Sequence, residues 1–260
     1  MSAEPQSLTT GMVVPCYNEA DRLDIDAFVE FAETRPWLTF VFVDDGSTDG
    51  TRDLLATAME RSPDRIRTLV LEENCGKAEA VRRGLLSTFD QGAELVGFWD
   101  ADLATPLVEI DTFRQRFEGQ LDLEIALGSR VRLLGKHIER KAVRHYFGRV
   151  TATTVSLILG IPVYDTQCGA KMMRSNKRVR GIFAESFATR WAFDVEILAR
   201  WLISRRVPPP VNLDCGLVEI PVSRWIDVEG SKLRLKDFLG APLSLWKIYR
   251  TYGRAVRRAR

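Results

Sequence analysis

Cysteine is scarce and poorly spaced for chemistry. The four in this 260-residue chain (Cys16, Cys75, Cys168, Cys215) form no C-x-x-C pair. That excludes a zinc ribbon or a disulfide frame and fits the reduced thiols of a cytoplasmic protein. Charge of one sign is also missing. With 37 Lys and Arg against 35 Asp and Glu the net charge is +2, so no global field draws in nucleic acid. No apolar run reaches a membrane span. The longest candidate, Val150 to Tyr164, is interrupted by threonines, Gly160 and Pro162. The polar N-terminus has no signal-peptide core, and there is no internal repeat or low-complexity tract. Gly76-Lys77 lacks the spacing of a P-loop, which excludes the ordinary ATP-hydrolysing phosphate loop. What remains is a soluble globular composition, long enough for one large α/β domain, whose membrane contact would be peripheral.

The hydrophobic pattern alternates between two periods. Continuous apolar runs at Thr9–Pro15, Leu38–Val43, Ile66–Leu71, Leu95–Trp99 and Leu123–Leu127 read as buried strands. Between them Ala20–Arg35, a segment from Ser47 or Thr48 to Met59, Ala78–Phe89 and Leu107–Phe117 read as helices. Strands apolar on both faces, alternating with helices, predict a parallel sheet covered on both sides. The second half is less regular. Arg140–Leu159 and Ala192–Ile203 are expected as helices, Ala170–Met173 as a short strand and Leu217–Ile226 as another. Pro208-Pro209-Pro210 reads as a stiff connector. The expected organisation is a flexible tail (1–8), one catalytic domain (9–235, with halves 9–130 and 131–235) and an amphipathic basic helix (236–260).

Ligands of such sheets bind beyond the carboxyl ends of the strands, and the polar clusters fall there. Asp100 and Asp102 follow the fourth strand one residue apart. In extended chain they would point to one side and share a Mg²⁺ or Mn²⁺ ion with a substrate's phosphates. A lone Asp-x-Asp is equally a common acidic turn. Asp44 and Asp45 end the second strand and can accept hydrogen bonds from a nucleobase or ribose, or else form an Asx-turn or cap. Pro15, Tyr17 and Glu19 offer an apolar wall and a stacking ring. Gly76 permits close backbone approach, and Lys77 reaches a base edge or phosphate unless it is a solvated helix-start lysine.

Four segments together carry a resemblance: Val14-Pro15-Cys16-Tyr17-Asn18-Glu19, Val43-Asp44-Asp45-Gly46-Ser47-Thr48-Asp49-Gly50-Thr51, Asn74 to Ala78, and Asp100-Ala101-Asp102. In order and spacing they resemble the family 2 glycosyltransferases of GT-A (nucleotide-diphospho-sugar transferase) fold. The resemblance implies an α/β fold with a mostly parallel central sheet and helices on both faces. It also implies a nucleotide-sugar donor such as UDP-glucose or GDP-mannose. Asp44 and Asp45 would lie near the nucleoside, and Asp100, Ala101 and Asp102 on the diphosphate through a divalent metal.

Four more segments narrow it: Arg144 to Arg149, Asp165 to Lys171, Arg190 to Glu196, and Glu229 to Leu233. They resemble the dolichyl-phosphate β-glucosyltransferases, and the likeness covers roughly residues 10–250. Ala170 stands where that branch usually has Phe, and the N-terminal membrane helix of its eukaryotic members has no counterpart in this chain. The expectation is therefore a bacterial-type relative, cytoplasmic and peripheral at the inner face of the membrane. The implied reaction is inverting transfer to a lipid phosphate, which is already ionised and needs cationic positioning rather than a base. Arg130, Arg144, Arg149 and Lys232 are the candidate cations, with Asp165 and Gln167 placing sugar or acceptor. A hydroxyl acceptor would need a base, and Asp194 is the candidate; it could instead merely complement a helix dipole. The last helix, with Leu243, Trp246 and Tyr249 beside many Lys and Arg, suits an anionic membrane surface. Packing on the core or an oligomer contact is the alternative.

Overall fold

A computed structural model describes residues 8–131, 133–139, 142–205, 216–226 and 235–259, with backbone only for 139, 142–147 and 235–239. Its main sheet has seven strands in the order β3-β2-β1-β4-β7-β5-β8. These are β1 (Thr10–Cys16), β2 (Leu38–Asp45), β3 (Ile66–Leu71), β4 (Leu95–Trp99), β5 (Ile125–Ser129), β7 (Ala170–Arg174) and β8 (Leu217–Pro221). Every pairing is parallel except those of β7, which runs antiparallel to both β4 and β5. A second, two-stranded sheet pairs β6 (His137–Glu139) with β9 (Arg224–Ile226).

The strand sequences are apolar throughout because both faces are covered. Met12, Val14, Phe40, Phe42, Leu95 and Trp99 point into one core cluster, and Val13, Val41, Val43, Val96 and Phe98 into the other. Helices α1 (Ile25–Glu33), α2 (Thr51–Arg61) and α4 (Glu109–Gly119) contribute to the first. Helices α3 (Lys77–Asp90), α5 (Ala142–Leu159), α6 (Lys177–Ile182), α7 (Phe193–Arg205) and α8 (Leu235–Ala259) contribute to the second. Phe28 of α1 meets Phe40 and Phe42 edge-on, with centroids 5.1 and 5.2 Å apart. Full burial of each such ring contributes roughly 1.5–3 kcal/mol.

The chain runs β1-β2-β3 outward in one direction, then returns to place β4 on the other side of β1. That reversal is the topological switch point at which α/β sheets open a crevice for ligands. The loops after β1 and β4 flank it.

Several elements differ from the sequence reading, each for a local reason. The first helix starts at Ile25 rather than Ala20, because Asp24 caps it by accepting from Ala27 N while Arg22 and Leu23 N donate to Glu19 O in a turn. The second starts at Thr51 with Gly50 as its cap; Ser47 and Thr48 are engaged with Asn18 instead. The expected strand Leu217–Ile226 is two strands in different sheets. Ser223 breaks it, its N–H and hydroxyl both donating to buried Glu109 Oε1. The basic segment before α5 contains β6, and α6 was not anticipated. Pro208–Pro210 and Cys215 lie outside the described residues, as do residues 1–7 of the tail.

Candidate active site

The loops after β1 and β2 are sewn together before any ligand arrives. Asn18 N donates to Ser47 Oγ at 3.0 Å, and Thr48 N donates to Asn18 Oδ1 at 2.8 Å. Glu19 N donates to Thr51 Oγ1 at 2.8 Å, and the Glu19 carboxylate holds Arg22 at 2.7 Å. Pro15 and Tyr17 are half-buried at the same edge. Gly46 is obligatory here: its φ is +66°, and a Cβ would come within 2.5 Å of the Glu73 carbonyl carbon. The β2 loop can therefore lie flat on the β3–α3 loop.

Asp44 and Asp45 divide their work. Asp44 is 0% exposed, and its carboxylate accepts from Ser47 N at 2.9 Å and from Arg52 Nε at 3.0 Å. These two bonds form the turn that follows β2. Asp45 accepts from Cys75 N at 2.8 Å and Gly76 N at 2.9 Å, one bond to each oxygen. Burial raises its pKa, and the two amides and Arg190 only partly offset that. Asp45 thus fixes the turn that delivers Lys77 to the first position of α3.

Lys77 Nζ is ion-paired with Asp100 Oδ1, with side chains 43% and 35% exposed. Desolvation acts to lower the Lys77 pKa, but Asp100, Asp194 and Asp102 outweigh it and the net shift is upward. For Asp100, desolvation is outweighed by Lys77, Lys171 and Arg130, and its pKa is lowered. Asp102 goes the other way: burial and then the charge of Asp100 raise it. The two carboxylates sense each other's charge, but they are not presented by a strand pleat. Residues 101 and 102 form a turn, Leu103 has φ +53°, and the loop closes through Asp102 Oδ1 accepting from Ala104 N and Trp99 Nε1 donating to Thr105 O. Ala101 is buried beneath the turn.

The acceptor-side candidates are placed unevenly. The Arg130 fork grips Asp165 through Nε at 2.7 Å and Nη2 at 2.8 Å, while its backbone N–H donates to the same carboxylate at 3.0 Å. Burial acts to lower the guanidinium pKa, and the pairing with Asp165 outweighs it, so the net shift is upward. Asp165 is itself seated by Glu219, which accepts from Tyr164 N and Asp165 N. Gln167 N donates to Asp165 Oδ1, while Gln167 Nε2 is buried without a hydrogen-bond partner. Arg149 stacks on Tyr164 at 3.8 Å, with Nη1 buried and unpartnered. Arg144 and His145 lie on α5, but their side chains, like all of Lys232, lie outside the described residues. Asp194, in the first turn of α7, is buried and lies 2.6 Å from Lys171 Nζ; burial raises its pKa and Lys171 and Lys77 oppose the rise. Trp191 is half-buried, and Phe193 packs on Phe98 with centroids 5.8 Å apart.

Two cations in the cleft escaped the sequence reading. Lys171 is one, and its position inside the apolar run Ala170–Met173 was the available signal. Arg190 is the other: its side chain lies over Gly76, 3.5 Å from where a Cβ would stand. Gly169 is a third omission, because Asp100 packs directly against it.

A mostly parallel sheet with a carboxylate pair at its switch point has the architecture of the GT-A nucleotide-sugar transferases. Glucosyl-3-phosphoglycerate synthase from Mycobacterium tuberculosis, in complex with Mn²⁺, UDP-glucose and phosphoglyceric acid, shares it. The TM-score is 0.65 over 95% of this chain and 80% of that one, at 15% identity. The profile of glycosyl transferase family 2 matches residues 12–176. The dolichyl-phosphate beta-glucosyltransferase of Drosophila melanogaster is 33% identical over 246 residues, which is 87% of this chain and 70% of that protein. Its Homo sapiens counterpart is 31% identical over 244 residues, 85% and 68% respectively. The chain belongs to glycosyl transferase family 2 and is a glycosyltransferase.

Proposed function

We propose that this enzyme transfers glucose from UDP-glucose to a polyprenyl phosphate, with inversion and with the help of a divalent metal. The observation that carries the reading is the Asp100/Asp102 pair facing Lys77 at the switch point. The chain holding that pair also aligns over most of its length with dolichyl-phosphate β-glucosyltransferases.

The donor set fits a hard cation. Two carboxylates share the turn after β4, and hard oxygen donors of this kind suit a small divalent ion. Asp100 and Asp102 would hold Mg²⁺ or Mn²⁺, and the ion would offset charge on the leaving diphosphate. Among the described residues no group of three or more His, Cys, Asp or Glu is arranged to hold a metal ion. Lys77 adds a second positive charge at the same place, and Asp45 keeps it there through the Cys75 and Gly76 amides. Tyr17, Pro15 and Glu19 border the nucleoside end of the crevice.

A phosphate acceptor is ionised near neutral pH and attacks without a general base. It needs donors instead. Arg149, stacked on Tyr164 with an unpartnered Nη1, has capacity to spare. Arg144 and Lys232 complete the set carried by the resemblance, and Arg130 with Asp165 shapes the loop leading to Gln167. The Asp194 carboxylate then accepts from hydroxyls of the transferred sugar. Burial of Asp194 favours a second reading, in which the acceptor is a hydroxyl and Asp194 is its base.

Helix α8 sets the working place. Tyr252 donates to Glu196 Oε1 at 2.6 Å, and buried Leu245, Ile248 and Val256 join the core cluster, holding one face against α7. The opposite face leaves Leu243, Trp246 and Tyr249 exposed beside Arg250, Arg254, Arg257 and Arg258. Aromatic and basic side chains together suit an anionic lipid surface. No described helix is long and apolar enough to cross a membrane.

The test is nucleoside diphosphate release from UDP-glucose or GDP-mannose with Mn²⁺, with and without a short polyprenyl phosphate. Release from UDP-glucose only when the lipid phosphate is present supports the reading. Release with a glycan hydroxyl and none with the lipid phosphate moves the assignment to the second reading.

A further inference from the structure

Beneath the carboxylate pair lies a charge that neither the fold nor the core requires. Lys171 is 0% exposed, in the middle of β7, paired in register with Phe98 of β4. A buried ammonium is costly unless it is both hydrogen-bonded and neutralised. Both conditions hold. Its Nζ donates to Cys168 O at 2.6 Å, lies 2.6 Å from Asp194 Oδ1 and sits 5.0 Å from the centre of the Phe98 ring. Asp194 is 7% exposed, and its Oδ1 makes no other hydrogen bond. An acidic residue in the first turn of a helix needs no partner of this kind, since the backbone amides and dipole already favour it. The donated bond also holds the Cys168–Gly169 turn. Gly169 O accepts from Asp100 N at 3.1 Å, and Gly169 Cα lies under the Asp100 carboxylate.

We propose that Lys171 is a positioning residue for the transfer reaction: one ammonium aims Asp194 and, through the Cys168–Gly169 turn, seats Asp100, so that the two carboxylates share a support. This rests on the placement of Asp194 in the site under the proposed function. Lys171 touches no reacting atom and acts only through these groups. Burial raises the Asp194 pKa, Lys171 and Lys77 oppose the rise, and Asp100 adds to it.

The test compares wild type, Lys171→Met, Asp194→Asn and the double variant. Turnover is divided by the fraction of molecules that bind UDP, measured by titration, so that loss of folded protein is removed. Lys171→Met is expected to lower kcat at least tenfold, while UDP affinity changes less than threefold. The acid limb of its kcat–pH profile moves to higher pH, because Asp194 has lost its nearest cation. The double variant falls below Asp194→Asn alone by a smaller factor than Lys171→Met costs in the wild type, because only the Asp100 share of the Lys171 support is left to lose. A kcat within twofold of wild type for Lys171→Met overturns the proposal, and so does a double variant in which the two losses multiply. If Lys171→Met does not fold, the double variant, which buries no unpaired charge, decides instead: a turnover equal to that of Asp194→Asn alone overturns the support of Asp100. Full turnover in Asp194→Asn overturns the placement of Asp194 itself, and is distinguished from failure of Lys171 alone by that variant's own rate.

Discussion

Gly169→Ala isolates the geometry of the Asp100/Asp102 pair from its charge. A Cβ at position 169 would overlap Oδ2 and Cγ of Asp100 and stand 2.5 Å from Oδ1. Backbone retreat is blocked on both sides, because Asp100 N donates to Gly169 O and the next residue pair, Trp99 with Ala170, is in the β4–β7 ladder. The carboxylate must move instead. Ordinary contact would require a shift of about 1 Å at Oδ1 and more at Oδ2, and displacements of that size cost on the order of 100-fold in turnover when they misplace a reacting group. The Asp100 side chain is 35% exposed, so it has somewhere to go. The stability cost should then stay at the low end of overpacking, about 1 kcal/mol. Gly169→Ala is expected to bind Mn²⁺ and turn over at least tenfold less well, with a melting temperature within a few degrees of wild type. Manganese titration, steady-state kinetics and thermal melts read the three quantities. Unchanged Mn²⁺ dependence with turnover within twofold would refute the contact, and with it the idea that the turn before β7 seats Asp100.

Three further outcomes follow from the same geometry. Asp102→Ala should abolish donor cleavage while leaving the melting temperature near wild type, because this carboxylate contributes one loop hydrogen bond and otherwise pays desolvation; a fully active variant would remove Asp102 from the metal site. Glu79 is held to a pKa of about 2, against an ordinary 4.5, by hydrogen bonds from Arg82 and Arg83 that outweigh its burial. Its folded value is the depressed one, so its stabilisation is complete above about 4.5 and fades as pH falls toward about 2. Glu79→Gln should cost on the order of 1 kcal/mol at pH 7 and nothing below pH 2, read from urea melts at both pH values. Replacing Leu243, Trp246 and Tyr249 together with Ser should lower association with anionic liposomes tenfold or more without changing UDP affinity; undiminished association would show that α8 is not the lipid-facing element.

The sheet was legible because its strands are buried on both faces and short polar clusters punctuate them. Ile66–Leu71 and Leu95–Trp99 have in the structure the bounds read from sequence. Helix starts were less legible, since they depend on which polar side chain wins a local competition. Asp24 caps α1 in place of an earlier start, and Ser47 and Thr48 are drawn off by Asn18. The direction of β7 could not be read at all, because an apolar run carries no sign of parallel or antiparallel pairing. For the site, position along the sheet was readable and duty was not. Asp44 and Asp45 are adjacent in sequence, yet one organises its own turn and the other a loop from the next strand. Arg130 closes on Asp165, a residue 35 positions away, a pairing that no local pattern announces.

The antiparallel strand explains why the site draws on both halves of the chain. A seventh strand added in parallel would have sent its carboxyl end to the same edge as β4, where another loop would compete for the crevice. Running β7 the other way brings its amino-terminal turn to that edge instead. Cys168, Gly169 and Lys171 thereby come under Asp100 and against Asp194, although 68 residues separate Asp100 from Cys168 in the sequence. The carboxylate pair itself belongs to the first half alone. Its seating, and its electrostatic link to Asp194, exist only once β7 has inserted between β4 and β5. The geometry at Asp100 is therefore a property of the completed sheet, and substitution of Gly169 or Lys171 in the second half should be felt at a carboxylate of the first.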